Sequence, residues 1–480
     1  MKAEKIIALL NEIEKKFEVE NWIVDDIHIW PLIRLDLMMN LHFNESQNLQ
    51  TKINLLFKIR QVFGMMRGYV KYLFKLLLDY KKNARLQQAD AVLLGDGISR
   101  VLLNGKWYDR FCDPLRYTLE KEGKKSLMIE PLHNYLIPRY SPSLFIQPSL
   151  DFSLLKNVLF FHKNFKNIQL NGFSEFVEFI KARKLNIPIP DESRLKTIVL
   201  AIKSYSEYYT KILKTINPTQ GFVVSYYGPK GLAFNLACYR LKIPSVDVQH
   251  GVAGEFNPAY GRWSKVPQNG YETLPSLFYC WTKEDAQAIE RWNTKVQKWH
   301  KPILKGNMLV DFWKNNAVND KSAASDLEDK KGTANILLTL SSVEDHNVVL
   351  LSKIMKVIKQ SDKDLQWWIR LHPCLADRKN EIEKIFHKED IRNIEIDQAT
   401  DLPLYALLGH MNLHVTYVSA TVTEARMFGL HSIVTGEDAL QYFADEIKTG
   451  WAIYATTTDE IEKAINKFLK LRYHSSPTSN

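Results

Sequence analysis

Five short runs of this 480-residue chain set polar and titratable side chains just after apolar stretches, which is where ligands meet the strand ends of an open α/β sheet. In WWIRLHP, Arg370 and His372 follow Trp367, Trp368 and Ile369, and Pro373 ends the strand. A guanidinium can grip phosphate or carboxylate through two parallel bonds, and the imidazole can donate to a phosphate or a nucleotide. The same residues also suit a plain strand exit with a satisfied histidine. In VSATVTEARMFG, Ser419 or Thr421 can cap a helix bearing Glu424. Its first N–H groups then face a phosphate, with Glu424 placed for ribose hydroxyls, although an ordinary capped helix start looks alike.

In VDVQHGVAGEF, His250 suits a general base for an acceptor hydroxyl because its proton affinity lies near neutrality. Glu255 could serve instead, or orient the imidazole, and a buried turn histidine is the plainer reading. Asp96 lies between Gly95 and Gly97 at the end of LLGDG. It is either a catalytic carboxylate or one that shapes the turn. Gly306 and Asn307, in LKGNMLVDFW, permit close backbone approach to a ligand.

These runs need elements to hold them. Apolar stretches at 89–94, 126–129, 221–226 and 245–248 alternate with helical patterns, which implies a parallel sheet with helices on both faces. A second series runs through 335–340, 366–371, 393–396, 412–419, 432–435 and 451–454. The expected fold is therefore α/β, with two Rossmann-like domains facing across a cleft. Residues 1–88 read as a helical, basic amphipathic segment, 89–300 as the acceptor domain, 301–472 as the donor domain and 473–480 as a frayed tail. Within the first segment, the stretch from Trp22 to Phe43 reads as a helix with Pro31 near its first turn or at a break, and 315–333 reads as a loose loop.

Composition narrows the functions. The four cysteines form no CxxC pair, which disfavours structural zinc and a disulfide framework. No signal peptide or membrane span is visible, so the expectation is a cytoplasmic protein. No DxD-like cluster calls for a metal, and no cofactor is implied. Of the net charge of +10, much lies in 51–85, where nine Lys and Arg face the single acid Asp79 among many apolar residues. Such a segment could lie in the headgroup layer of an anionic membrane, peripheral on its inner face, or pack on the core with a solvated basic face. Nucleic acid is not indicated, since no recognition motif accompanies the charge.

The order QHG (249–251), KGN (305–307), RLHP (370–373) and S-x-T-x-T-E (419–424) resembles that of bacterial GT-B glycosyltransferases of capsule and lipopolysaccharide biosynthesis. The His-Pro pair before a Ser/Thr-rich helix start is similar to that of enzymes with cytidine-nucleotide donors: Kdo transferases, sialyltransferases and CDP-glycerol polymerases. The resemblance implies a metal-independent transfer from a nucleotide sugar, CMP-Kdo being one such donor, to a hydroxyl of a glycan or lipid-linked acceptor. Arg370 and His372 would contact the donor's phosphate or cytidine, and Ser419 and Thr421 its phosphate. The HGT-x-x-K continuation of the CDP-glycerol enzymes is absent, since Val252-Ala253-Gly254 follows His250-Gly251. The alternatives are an epimerase of the UDP-GlcNAc 2-epimerase type and a non-catalytic, membrane-associated assembly factor.

Overall fold

A computed structural model describes residues 3–43, 86–97, 99–103, 105–131, 138–160, 165, 168–185, 187–188, 190–293, 299–315, 334–360 and 365–474. The basic stretch 51–85 and most of the expected loose loop, 316–333, lie outside the described residues. The final helix, Thr458–His474, runs into the expected tail. No helix among the described residues is long and apolar enough to cross a membrane.

The described residues fall into two compact units. One draws on Met1–Ser99 and Asp109–Asn307, the other on Arg100–Tyr108 and Met308–Asn480.

The first unit begins with the helix Ala3–Lys16 and then a tight hairpin, β1 (Ile23–Val24) and β2 (Ile27–His28). The helix expected from Trp22 onward is thus corrected to a hairpin followed by the helix Trp30–Phe43. Asp25 and Asp26 take φ of 52° and 63°, the left-handed pair that a two-residue hairpin turn requires and that Asp tolerates. Pro31 then fits the first turn, where its missing N–H costs nothing.

The sheet of this unit has seven strands: β3 (Ala91–Leu94), β6 (Ser126–Glu130), β7 (Ser143–Phe145), β9 (Gln220–Val224), β10 (Ser245–Val248), β11 (Leu277–Cys280) and β12 (Lys301–Leu304). All pair in parallel, in the order β12-β11-β10-β9-β3-β6-β7. Counted along the chain this is the doubly wound order 3-2-1-4-5-6-7. β10 is therefore interior rather than last, and β11 and β12 continue the sheet beyond it. A short strand, β8 (Ile168–Gln169), pairs with β1. Two further strands, β4 (Arg100–Leu103) and β5 (Lys106–Asp109), make a separate two-stranded sheet; residues 100–108 belong to the second unit, within which Tyr108 stacks on Phe312 at 5.7 Å.

The second unit repeats the plan with β13 (Ala334–Thr339), β14 (Leu365–Arg370), β15 (Ile394–Glu395), β16 (Leu413–Thr416), β17 (Ser432–Val434) and β18 (Ala452–Tyr454). Its parallel order is β15-β14-β13-β16-β17-β18, or 3-2-1-4-5-6 along the chain. β3 and β13 are buried along their whole length, as strands covered on both faces must be. Each unit thus carries a Rossmann-like parallel α/β sheet, and an N-terminal helical segment precedes the first.

The N-terminal helices share one hydrophobic core with the first sheet: Ile6, Leu10, Ile13, Trp22 and Trp30 lie in it with Val92, Leu94, Tyr226 and Trp263. A buried ion pair locks that contact. Arg34 and Glu14 have no exposed side-chain surface and are bonded to each other. Glu14 also accepts from Trp30 Nε1 at 2.9 Å and from Ser264 N at 2.8 Å. Arg34 donates to the carbonyls of Pro258, Gly261 and Arg262 at 3.1–3.3 Å, and its guanidinium lies 4.4 Å over Trp263. Removing one partner strands a buried charge, so Arg34→Ala is expected to lower the unfolding free energy by about 3–5 kcal/mol, measured by denaturant titration. The Glu14→Met, Arg34→Met double variant should lose less than either single one.

Candidate active site at two sheet switch points

In a doubly wound sheet, ligands bind where the connections diverge, outside the carboxyl ends of the first and fourth strands. In the first unit that point is β3 and β9; in the second it is β13 and β16.

Three exits meet at the first switch point. After β3, Asp96 accepts from Ser99 N at 3.0 Å and Ser99 Oγ at 2.6 Å, so its carboxylate does shape the turn. Its charge also acts on His250 and Tyr227. After β9, Ser225 takes φ of 58°, a conformation costly for a non-glycine residue and common at functional sites. The turn is held from beneath, because a Cβ on Gly231 would stand 2.5 Å from the Tyr226 carbonyl oxygen, and Tyr226 OH donates to the Ala259 carbonyl. Tyr227 follows, and its OH lies 2.7 Å from His250 Nε2.

His250 leaves β10 beside a clamp. Gln249 donates to the Gly251 carbonyl at 2.8 Å and Asp285 at 2.9 Å, and accepts from Trp281 N at 2.7 Å, which uses its amide to fix the loop. The His250 ring meets Phe111 edge-on at 6.1 Å. Burial pushes its pKa below the ordinary value; Asp96 and the Val248 carbonyl oppose that shift, and Arg110 adds to it. The imidazole is therefore neutral at pH 7, the form that accepts a proton. Glu255 is differently engaged, in ion pairs with Arg262 at 3.3 Å and with Arg291. Of the three candidate bases, the structure thus brings Asp96 and His250 together and ties Glu255 to two arginines.

At the second switch point the β13 exit is clasped by Asn347, which accepts from Ser341 N at 2.7 Å and donates to its carbonyl at 2.8 Å. Ser341 Oγ lies 3.5 Å from His346 Nδ1. The His346 ring stacks on Tyr417, after β16, at 4.3 Å and 22°. Gly436 backs this platform, since a Cβ there would stand 2.6 Å from the Tyr417 ring. Beside it, Ser419 Oγ accepts from Thr421 N at 3.2 Å and bonds Thr421 Oγ1 at 3.0 Å. The expected cap is displaced: Ala420 is the N-cap of the helix Thr421–Met427 and makes no side-chain cap bond. Glu424 accepts from Tyr405 OH at 2.5 Å.

The β14 exit gives Arg370 a task within the fold. Its Nη1 donates to the carbonyls of Ala399 and Leu402 at 2.6 and 2.7 Å, closing the end of the helix Asp397–Asp401. His372 is exposed, precedes Pro373 and accepts from Cys374 N at 3.3 Å through Nδ1. At the KGN run, Gly306 has φ of 74° and both Lys305 and Gly306 donate to the Cys280 carbonyl, at 3.0 and 3.2 Å, while Asn307 is buried. Among the described residues no cluster of His, Cys, Asp and Glu could hold a metal ion.

Sequence reading passed over Ser225, Tyr227, Ser341, His346 and Tyr417. The apolar run GFVVSYY reads as strand to Tyr226, yet β9 stops at Val224, and Gly228-Pro229 just beyond is the available sign of a turn into a helix.

No family model matches the chain, and no curated protein sequence matches it. Among solved structures it is similar to the UDP-GlcNAc 2-epimerase of Methanocaldococcus jannaschii in complex with UDP-GlcNAc and UDP, at 16% identity and a TM-score of 0.46, covering 79% of this chain and 92% of that one. It is also similar to the UDP-GlcNAc 2-epimerase of Neisseria meningitidis bound to UDP-GlcNAc, at 13% identity and 0.49, covering 80% and 92%. The spinosyn rhamnosyltransferase SpnG is similar at 12% identity and 0.42, covering 79% and 91%.

The double carbonyl bond of Arg370 has a measurable consequence. Arg370→Ala is expected to lower the stability of the ligand-free protein by about 1.5–3 kcal/mol, read by denaturant titration. Unchanged ligand-free stability would mean that the arginine serves a ligand alone.

Proposed function

We propose that the protein is a glycosyltransferase that holds a nucleotide-activated sugar at the β13/β16 switch point and uses His250 as the base for an acceptor hydroxyl. One observation carries this reading: each of the two doubly wound sheets ends in a polar cluster at its own switch point, and the clusters differ in kind. The first centres on a neutral imidazole in the field of Asp96. That is the equipment for removing a proton from a hydroxyl as it attacks. The second offers Ser341, Ser419 and Thr421 hydroxyls, the exposed His372 and the aromatic pair His346–Tyr417. Those suit phosphate oxygens and a base or sugar ring.

The acceptor in this reading is a growing surface glycan or a lipid-linked one, and a cytidine donor follows from the resemblance of the RLHP and S-x-T runs. Asp96 tunes His250 and holds the turn, and Glu255 supports the loop through its arginines. Arg370 acts on the donor through the shape of the β14 exit, because its guanidinium bonds the backbone.

The test begins with CMP-, CDP-, UDP- and GDP-compounds, scored by thermal stabilisation, since a ligand that binds only the native state raises the melting temperature by mass action. The expected result is stabilisation by a cytidine compound; preference for uridine or guanosine would overturn the cytidine donor. With the stabilising donor and an acceptor, His250→Ala should lower the transfer rate by about 10²–10⁴-fold and leave nucleotide binding within a few-fold. Isomerisation of the sugar with donor alone would replace the transferase by an epimerase.

The basic stretch 51–85 fits a role in bringing the enzyme to an anionic membrane surface, where a lipid-linked acceptor would reside. Replacing Lys71, Lys75, Lys81 and Lys82 by Glu should abolish co-sedimentation with phosphatidylserine vesicles; undiminished binding would remove the membrane from the account.

A further inference from the structure

If His250 takes a proton, the geometry around its ring restricts the route. Nδ1 is buried, and the Val248 carbonyl acts on the ring as a hydrogen-bond acceptor. Nε2 is capped by the Tyr227 hydroxyl at 2.7 Å. Neither nitrogen is open to a substrate directly. Among the described residues, the Tyr227 phenol stands at a ring nitrogen, holds a transferable proton and sits at the switch point.

We infer that Tyr227 is the relay through which His250 receives the acceptor's proton, with Ser225 as the outer member of the same hydrogen-bonded chain. This rests on the transferase reading above.

The direction of the bonds follows from chemistry. Burial holds the Tyr227 phenol up to about 12, so it is protonated at neutral pH. Ser225 hydrogen-bonds the phenol in the sense that favours its anion, which makes the serine the donor. The phenol's own hydrogen is then directed to Nε2, and the neutral ring carries its proton on Nδ1. The charged and titratable groups acting on this chain are Asp96 and Arg110 on His250, and Asp96 and Asp247 on Tyr227. Asp247 lies on β10, fully buried and bonded to Tyr260 OH at 2.8 Å.

The unusual backbone serves the same arrangement. Ser225 in the left-handed region turns the chain sharply after β9. Tyr226 anchors the turn in the core, meeting Tyr227 edge-on at 5.6 Å and Tyr260 at 6.0 Å. The phenol is thereby held against the imidazole by packed aromatics.

The step balances as follows. The acceptor oxygen forms its bond to the anomeric carbon as the bond from that carbon to the nucleotide's phosphate oxygen breaks, the electron pair leaving with the phosphate. The acceptor's proton passes to the Ser225 oxygen while the serine's proton moves to the Tyr227 oxygen and the tyrosine's to His250 Nε2. The imidazolium so formed sits in the field of Asp96, and tyrosine ends the step as it began.

Tyr227→Phe removes the hydroxyl and keeps the ring. With saturating donor and acceptor, kcat should fall about 100-fold or more with the donor KM nearly unchanged. In the substrate-free protein, ¹⁵N NMR of His250 should show an accepting Nε2 and a protonated Nδ1 in the wild type, and loss of that preference in the variant. Ser225→Gly, which suits the positive φ, should lower kcat by a smaller factor; it also supplies the test if Tyr227→Phe does not fold. A Tyr227→Phe or Ser225→Gly enzyme transferring at the wild-type rate would overturn the relay. So would an unchanged His250 tautomer in Tyr227→Phe. Failure of the transferase reading would appear differently, as a wild-type protein that transfers no sugar from any nucleotide donor.

Discussion

The ion pair of Glu14 and Arg34 is the constraint on which the first unit's site depends. Two unexposed charges in a core are tolerable only when their remaining bonds are filled. Here the filling comes from the backbone carbonyls of Pro258, Gly261 and Arg262 and from Ser264. These belong to the loop that continues from His250, whose other anchors are Asn257, bonded to the Val252 carbonyl at 2.7 Å, and the Gln249 clamp. The N-terminal helices are thus part of the machinery that shapes the β10 exit, although they are far from it in sequence. A loop held by buried charge-assisted bonds keeps the imidazole in one place, and a fixed imidazole is what a relay of short hydrogen bonds requires.

The two units share a sheet order but differ in the side chains at their strand exits. A parallel sheet places all its carboxyl ends along one edge, so any polar residue just after a strand arrives at the same edge. The first unit fills its switch point with a carboxylate, a phenol and an imidazole. The second fills its own with hydroxyls and stacked rings. In the second unit the strands below are fully committed: His414 is buried, bonded to Thr339 Oγ1 and Ser432 Oγ at 2.9 Å each, and held neutral with a pKa pushed down to about 3. It is a satisfied core histidine, whereas His372, just past the end of β14, is exposed.

Much of the fold was legible from hydrophobic runs. The β3, β6, β9, β10, β13, β14, β16 and β17 segments are short, apolar and bounded by turn residues, and each forms at its expected run, with β9 and β16 ending early. β7, β11 and β12 were not; edge strands such as Lys301–Leu304 carry little apolar contrast. The hairpin at Asp25-Asp26 was hidden because Ile, Trp and Leu on either side match a helical period equally well. The site was legible in part. His250 and Asp96 could be named from strand exits, but their partnership passes through Tyr227, from a third strand, and no spacing reveals that. Arg370 was read as a phosphate grip because a guanidinium has the right shape; the carbonyls of Ala399 and Leu402 that engage it lie 29 and 32 residues away in the chain.

The central claim is that the donor nucleotide occupies the β13/β16 switch point while the first unit keeps its own for proton transfer. A crystal structure of the protein with a non-transferable nucleotide-sugar analogue tests it most directly. The account predicts density for the nucleotide outside the carboxyl ends of β13 and β16, within hydrogen-bond distance of Ser341, Ser419 or His372. A nucleotide bound instead beside Asp96, Tyr227 and His250, with the second unit's switch point empty, would contradict it.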